Sequence, residues 1–307
     1  MSAGWVAGSV RARAIARRRV GDAGARGLAR AGSFEEAVDM LARSPYGLRV
    51  HSDDTLSAAV RAVAATLLWH LRVLAGWLPA SGADMLRLLA GWFEITNIEE
   101  HLRALSGLPA QPPFSLGTLA TAWPRIAATS SRDDLRMALA SSPWGDPGSP
   151  GPRDVQLTTR LAWAERVAAR IPTAQAWALG AAGLLVAREQ LARRQPLPEM
   201  AAAIAGRLLG PHVALASSVE DLRPALPASA RWALADLTDE AHLWQAEAHW
   251  WHRLRADSAV LLAGSGFGPE RVVGAVGLLA VDAWLVVGAL EVAARGREGL
   301  EIFDALA

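Results

Sequence analysis

The chain has 307 residues, 52% of them apolar and 20% charged, a composition that buries a sizeable core and argues against disorder. Its length alone sets a prior of two domains, and a net charge of +1 gives no overall pull toward nucleic acid. All 31 basic residues are Arg, and Cys is absent, which excludes thiol nucleophiles, Cys-ligated metals, disulfides, the P-loop lysine and a pyridoxal Schiff base.

Ala, Leu and Arg dominate, and all three are strong helix formers. Strict alternation of β-branched residues is missing, so the expected fold class is all-α. The first thirty residues hold seven Arg (Arg11, Arg13, Arg17, Arg18, Arg19, Arg26 and Arg30) against Asp22, a local charge of +6. The remainder is therefore acidic. Such asymmetry marks a surface for an acidic partner or for anionic headgroups, weighed against a simple solvated helix face. Arg11 to Arg19 also has the look of a transit peptide, but no apolar signal core follows, and a first helix is the expectation.

Residues 33–47 read SFEEAVDMLARSPYG, and residues 131–145 read SRDDLRMALASSPWG. Ser44-Pro45 matches Ser142-Pro143, Tyr46 matches Trp144, and Gly47 matches Gly145. A weaker third copy, SVEDLRPAL, starts at Ser218. Each copy opens with a helix-start pair: Ser33 with Glu36, Ser131 with Asp134, Ser218 with Asp221. Pro45 and Pro143 bias the preceding Ser away from helix, and the glycines are placed to take a left-handed turn. Longer apolar helices are expected over Met85 to Leu105, Ala176 to Arg194 and Val272 to Arg295, with Glu100, Glu189 and Glu291 aligned near their ends. The division into repeats is then 1–109, 110–211 and 212–307. Pro109 to Pro113 and Pro196 to Pro211 mark the joints, and Pro143 to Pro152 reads as a loop.

Val272 to Leu290 is long enough to cross a bilayer, but Asp282 in its centre costs about 2.5–3.5 kcal/mol on insertion scales. A buried helix of a larger bundle has the same pattern. Gly264-Ser265-Gly266-Phe267-Gly268 lacks a preceding strand and the full phosphate-loop spacing, and Pro269 follows, so it reads as a helix stop and start. His242, His249 and His252 among Asp239, Glu240 and Glu247 suggest a metal face. The interleaved Trp244, Trp250 and Trp251 favour packing instead. No nucleophile elbow or zinc helix occurs, and no catalytic, cofactor-binding or metal residue is assigned.

Arg11-Ala-Arg-Ala, Ser33-Phe-Glu-Glu, Ser44-Pro-Tyr-Gly, Phe93-Glu-Ile-Thr-Asn-Ile-Glu, Trp250-Trp-x-x-Leu and Phe267-Gly-Pro-Glu occur in that order. In this order the chain resembles the C-subunit family of the bacterial and archaeal V/A-type ATP synthases, relatives of the d-subunit of eukaryotic V-ATPases. The resemblance implies a funnel of three similar helical repeats with pseudo-threefold symmetry, and no enzymatic activity. It implies a central-stalk component at the cytoplasmic face, seated between the rotor shaft and the membrane proteolipid ring, serving proton or sodium transport. Nucleic acid and cofactors are not among the expected partners. Arg11, Arg13, Arg17 and Arg18 are the candidate partner contacts. The competing reading is a membrane-embedded or lipid-binding helical protein. With neither Lys nor a phosphate cradle, the purified chain should show no micromolar ATP binding in calorimetry; a saturable isotherm would overturn that expectation.

Overall fold

A computed structural model describes residues 2–296 and 298–306, and among them only helices and turns occur, without a strand. The protein is all-α. The helices are α1 (Ala3–Ala16), α2 (Gly21–Ala29), α3 (Phe34–Ala42), α4 (Leu56–Ala75), α5 (Ala80–Leu89) and α6 (Gly91–Leu105). They continue with α7 (Trp123–Ile126), α8 (Arg132–Ala140), α9 (Pro152–Arg170), α10 (Gln175–Ala187) and α11 (Glu199–Leu209). The last are α12 (Val219–Ala225), α13 (Ala228–Arg231), α14 (Leu243–Ala263), α15 (Pro269–Ala294) and α16 (Leu300–Leu306). They group into two compact units, one of Met1–Ala83 with Trp251–Ala307 and one of Asp84–Trp250. Pro109 and Gly210, where joints are expected, both lie inside the second unit.

In the first unit α15 is the centre, with α1, α2, α3 and α4 packed on it. It is apolar nearly all round and buried along most of its length, as a core helix must be. At the crossing with α14 the backbones come close: a Cβ on Gly274 would lie 2.6 Å from the Ser258 carbonyl oxygen. The glycine-rich stretch before α15 is a stop and start: α14 ends at Ala263, Gly268 is the extended N-cap, and Pro269 opens the helix. Among the described residues two helices, α4 and α15, are long and apolar enough to cross a membrane, and in α15 78% of that window is buried inside the protein.

In the second unit α9 packs against α6, α10 and α11. Ile95, Ile98 and Leu102 of α6 meet Ile126, Leu135, Leu139 and the fully buried Trp144. The helix expected from Met85 to Leu105 is broken at Ala90. The cause is Trp163, whose indole N–H donates to the Leu88 carbonyl at 2.7 Å and takes the place of the next helical donor. The helix expected to Arg194 likewise changes character, turning into a π-helical stretch from Arg188 to Ala192.

The start signals act as their chemistry requires. Ser33, Ser131 and Ser218 are extended N-caps whose hydroxyls accept from the N–H of Glu36, Asp134 and Asp221, at 3.2, 3.1 and 3.1 Å. The helices after Ser33 and Ser131 end at Ala42 and Ala140, and the two stops match bond for bond. Ser44 and Ser142 donate back to the carbonyls of Leu41 and Leu139 and accept from the N–H of Tyr46 and Trp144. Tyr46 and Trp144 are both buried. The glycines part company: Gly145 takes φ +79°, whereas Gly47 does not have a positive φ. Gly47 is needed for space, since a Cβ there would overlap the Ala42 carbonyl oxygen. Ser33→Ala and Ser131→Ala should each cost about 1 kcal/mol in urea unfolding, the usual worth of such a cap. Losses below a few tenths would show that the caps are idle.

Candidate functional site

One helix in each unit, α15 in the first and α6 in the second, carries a buried carboxylate with no ionic partner inside its own helix. Asp282 of α15 accepts from the backbone N–H of Val20 (3.1 Å) and Gly21 (2.7 Å), at the start of α2. It also accepts from the Tyr46 hydroxyl at 2.9 Å. Glu94 of α6 accepts from the N–H of Thr121 (2.5 Å) and Ala122 (2.7 Å), just before α7, and from the Trp144 indole N–H at 2.8 Å. The pattern is the same in both: two backbone donors at a short-helix start and the polar edge of the aromatic that ends the next helix. We call each a clasp.

An ion taken out of water is costly unless its lone pairs are filled and its charge is answered. Glu94 is 1% and Asp282 3% exposed, so three donors and a helix N-terminus are the compensation. A guanidinium lies near each. Arg166 stands over the Trp144 ring at 5.1 Å; burial and Arg170 lower its pKa, and the Glu94 charge opposes them. Around Asp282, burial raises the carboxyl above its ordinary value, against the pull of the Gly21 N–H, the Tyr46 hydroxyl, the Val20 N–H and the Arg19 charge. Tyr46 is raised too, by burial first and then by Asp282. Enclosed on every side, these carboxylates fasten segments together and offer no surface to a substrate.

Glu100, Glu189 and Glu291, aligned on sequence, occupy three unlike places. Glu100 accepts from the Gln111 N–H at 2.7 Å, and the half-buried Glu291 pairs with Arg295 one turn on. Glu189, buried inside the π-helical stretch, binds Arg153 at 3.0 Å and Arg193 at 2.7 Å. The residues with matching partners are Glu94 and Asp282. In the sequence Asp282 is visible only as the lone charge of an apolar helix. Asn97, the chain's one asparagine, holds both backbone polar groups of Phe114 and pins the stretch after α6.

The candidate contact residues lie on and just after α1. Arg13, Arg17 and Arg18 are exposed; Arg11 is half-buried, with its guanidinium 5.9 Å from the Trp77 ring centre. Val6 and Val10 of the same helix are also exposed. The face therefore mixes cations with apolar side chains. His249 packs on the Trp232 ring and His242 stands 3.7 Å from Asp239. Among the described residues no three His, Asp or Glu side chains gather as a metal-ligand set.

No protein-family model and no curated protein matches the chain.

The clasps predict their own energetics. Glu94→Ala and Asp282→Ala each strand three donors, buried or half-buried, and should cost about 3 kcal/mol or more. Trp144→Phe and Tyr46→Phe, which remove one charge-assisted bond, should cost about 2 kcal/mol. A raised carboxyl pKa makes its stability contribution full below the ordinary value and lost as pH rises through the raised one. Asp282→Asn should therefore flatten the fall in stability between acid and neutral pH, whatever its baseline cost. Variants within about 0.5 kcal/mol of the parent in urea unfolding would remove the clasps from the account of this fold.

Proposed function

We propose that the chain is a non-catalytic central-stalk subunit of a V/A-type rotary ATPase, coupling the rotor shaft to the membrane proteolipid ring for proton or sodium transport. One observation supports this most. The clasp at Trp144 fastens its segment to α6, the long helix just before it, whereas the clasp at Tyr46 fastens the N-terminal segment to α15, the last long helix of the chain. The cyclic shift suits three repeats, 1–109, 110–211 and 212–307, closed head to tail as a funnel with pseudo-threefold symmetry. The third copy keeps the Ser218 cap but has no aromatic clasp; Leu226 instead packs toward Gly183 of α10.

A rotor coupler transmits torque and performs no chemistry, so it needs stiffness and contact faces in place of an active site. Buried, fully bonded carboxylates serve stiffness, because their bonds cannot be traded for water without exposing the core. The exposed cations of α1, Arg13, Arg17 and Arg18, with Arg11 behind them, are the proposed contact face for shaft or ring. On this reading the protein is peripheral to the membrane, at its cytoplasmic face, and bound there through the ring. The alternative of a membrane-embedded helical protein draws on the length of α4 and α15. Against it, α15 is packed on by α1, α2, α3 and α4 among others and spends its central charge on Val20, Gly21 and Tyr46.

A tagged chain purified from native membranes should bring down proteolipid and shaft components. Arg13→Glu with Arg17→Glu should weaken that assembly, more at low salt than at high. If those components assemble normally without the chain and never accompany it, the proposal is wrong.

A further inference from the structure

A cavity of about 460 Å³ opens in the first unit between the end of α1, the turn after α3 and one face of α4. Arg18 comes from the first, Leu48 and Arg49 from the second. Thr66, Trp69 and His70 come from α4, where a spacing of three and four residues sets them on one face. Among the described residues no carboxylate lines it, and neither Arg18 nor Arg49 makes an ion pair. His70 is only 6% exposed, yet its Nδ1 has no hydrogen-bond partner. The Thr66 hydroxyl hydrogen is already given to the Ala62 carbonyl, so the free donors are the two guanidiniums and the imidazole.

Two permanent cations beside a buried imidazole, with no acid among them, form an unanswered positive field. His70 registers it: burial first, then the charges of Arg18 and Arg11, hold its pKa down at about 4, so it stands neutral at physiological pH. An anion would answer the field, and guanidinium forks match the tetrahedral oxygens of phosphate. The cavity has the size of a small-molecule site rather than that of an ion alone, and Trp69 and Leu48 give it an apolar wall.

We infer that this cavity binds an ester of a single phosphate group, distinct from the nucleoside triphosphate that the chain is not expected to hold, with its oxyanion between Arg18 and Arg49, a hydrogen bond to His70, and its organic part against Trp69 and Leu48. A soluble ester and the headgroup of an anionic phospholipid present the same chemistry. The inference goes beyond the rotary-ATPase proposal, and its readouts use the full chain by itself, so either can fail alone.

Two probes separate the sources. Phenyl phosphate is titrated into the full chain by calorimetry, and flotation compares vesicles of equal parts phosphatidylglycerol and phosphatidylcholine with vesicles of phosphatidylcholine alone. Arg18→Ala with Arg49→Ala should weaken binding about tenfold or more, the worth of lost charge-assisted bonds. Both positions are exposed, so the pair should leave the melting temperature near that of the parent. Arg13→Ala with Arg17→Ala removes the same charge from the open face of α1 and should change binding much less. Binding of phenyl phosphate that the first pair alone abolishes assigns a soluble ester; binding only to anionic vesicles, again lost in the first pair alone, assigns a headgroup. No binding of either probe, or equal losses in both pairs, overturns the inference.

Discussion

A carboxylate buried on the core side of a helix is tolerable only if other parts of the chain bring donors to it. Asp282 and Glu94 place that demand on their surroundings, and the local architecture follows. Each draws in two consecutive backbone N–H groups, and in both cases these lie at the start of a short helix, α2 or α7, which is thereby placed beside it. Each also takes one aromatic donor, which must come from the turn that ends the following helix. Helix start, cap, stop and aromatic are thereby tied to one buried atom pair, and none can shift without leaving a charge or a donor unpaired in the core. Around Glu94 the apolar packing of Ile95, Ile98 and Leu102 on Leu135, Leu139 and Trp144 supplies the surrounding burial. Packing of that kind tolerates small slips. The carboxylate does not.

How far the sequence discloses this depends on range. Cap and stop are local chemistry: Ser33 and Glu36, or Ser142 and Trp144, lie within a few residues, so all three starts and both stops are legible, together with the helical class. The clasps are not local. Asp282 meets Gly21 and Tyr46 across separations of 261 and 236 residues, and nothing in a one-dimensional reading joins them. Taken alone, Asp282 is a penalty for membrane insertion; in the fold it is the group that makes α15 a core helix. The break at Ala90 is hidden for the same reason, since Trp163 reaches it from another helix. Gly47 and Gly145 show the converse limit, with identical motifs but different physical needs. Glu100, Glu189 and Glu291 align well because they end similar apolar stretches, and similarity of stretch does not carry similarity of partner.

The absence of Lys sharpens the charge pattern of the surface. An Arg side chain stays protonated at any pH the fold survives, so an arginine without a partner is a fixed charge that neither titration nor burial relieves. Much of the chain's arginine is answered: Arg153 and Arg193 by Glu189, Arg160 by Glu99, Arg136 by Asp146, Arg255 by Asp22. On α1 and around the His70 cavity it is not. Around those arginines exposed apolar side chains, Val6, Val10, Trp77 and Leu48, are also found. Cations and apolar area together suit a counterpart that is itself anionic and partly apolar, whether a protein face against α1 or an ester in the cavity. Both proposals thus draw on one physical feature, positive charge that the fold leaves for something else to neutralise.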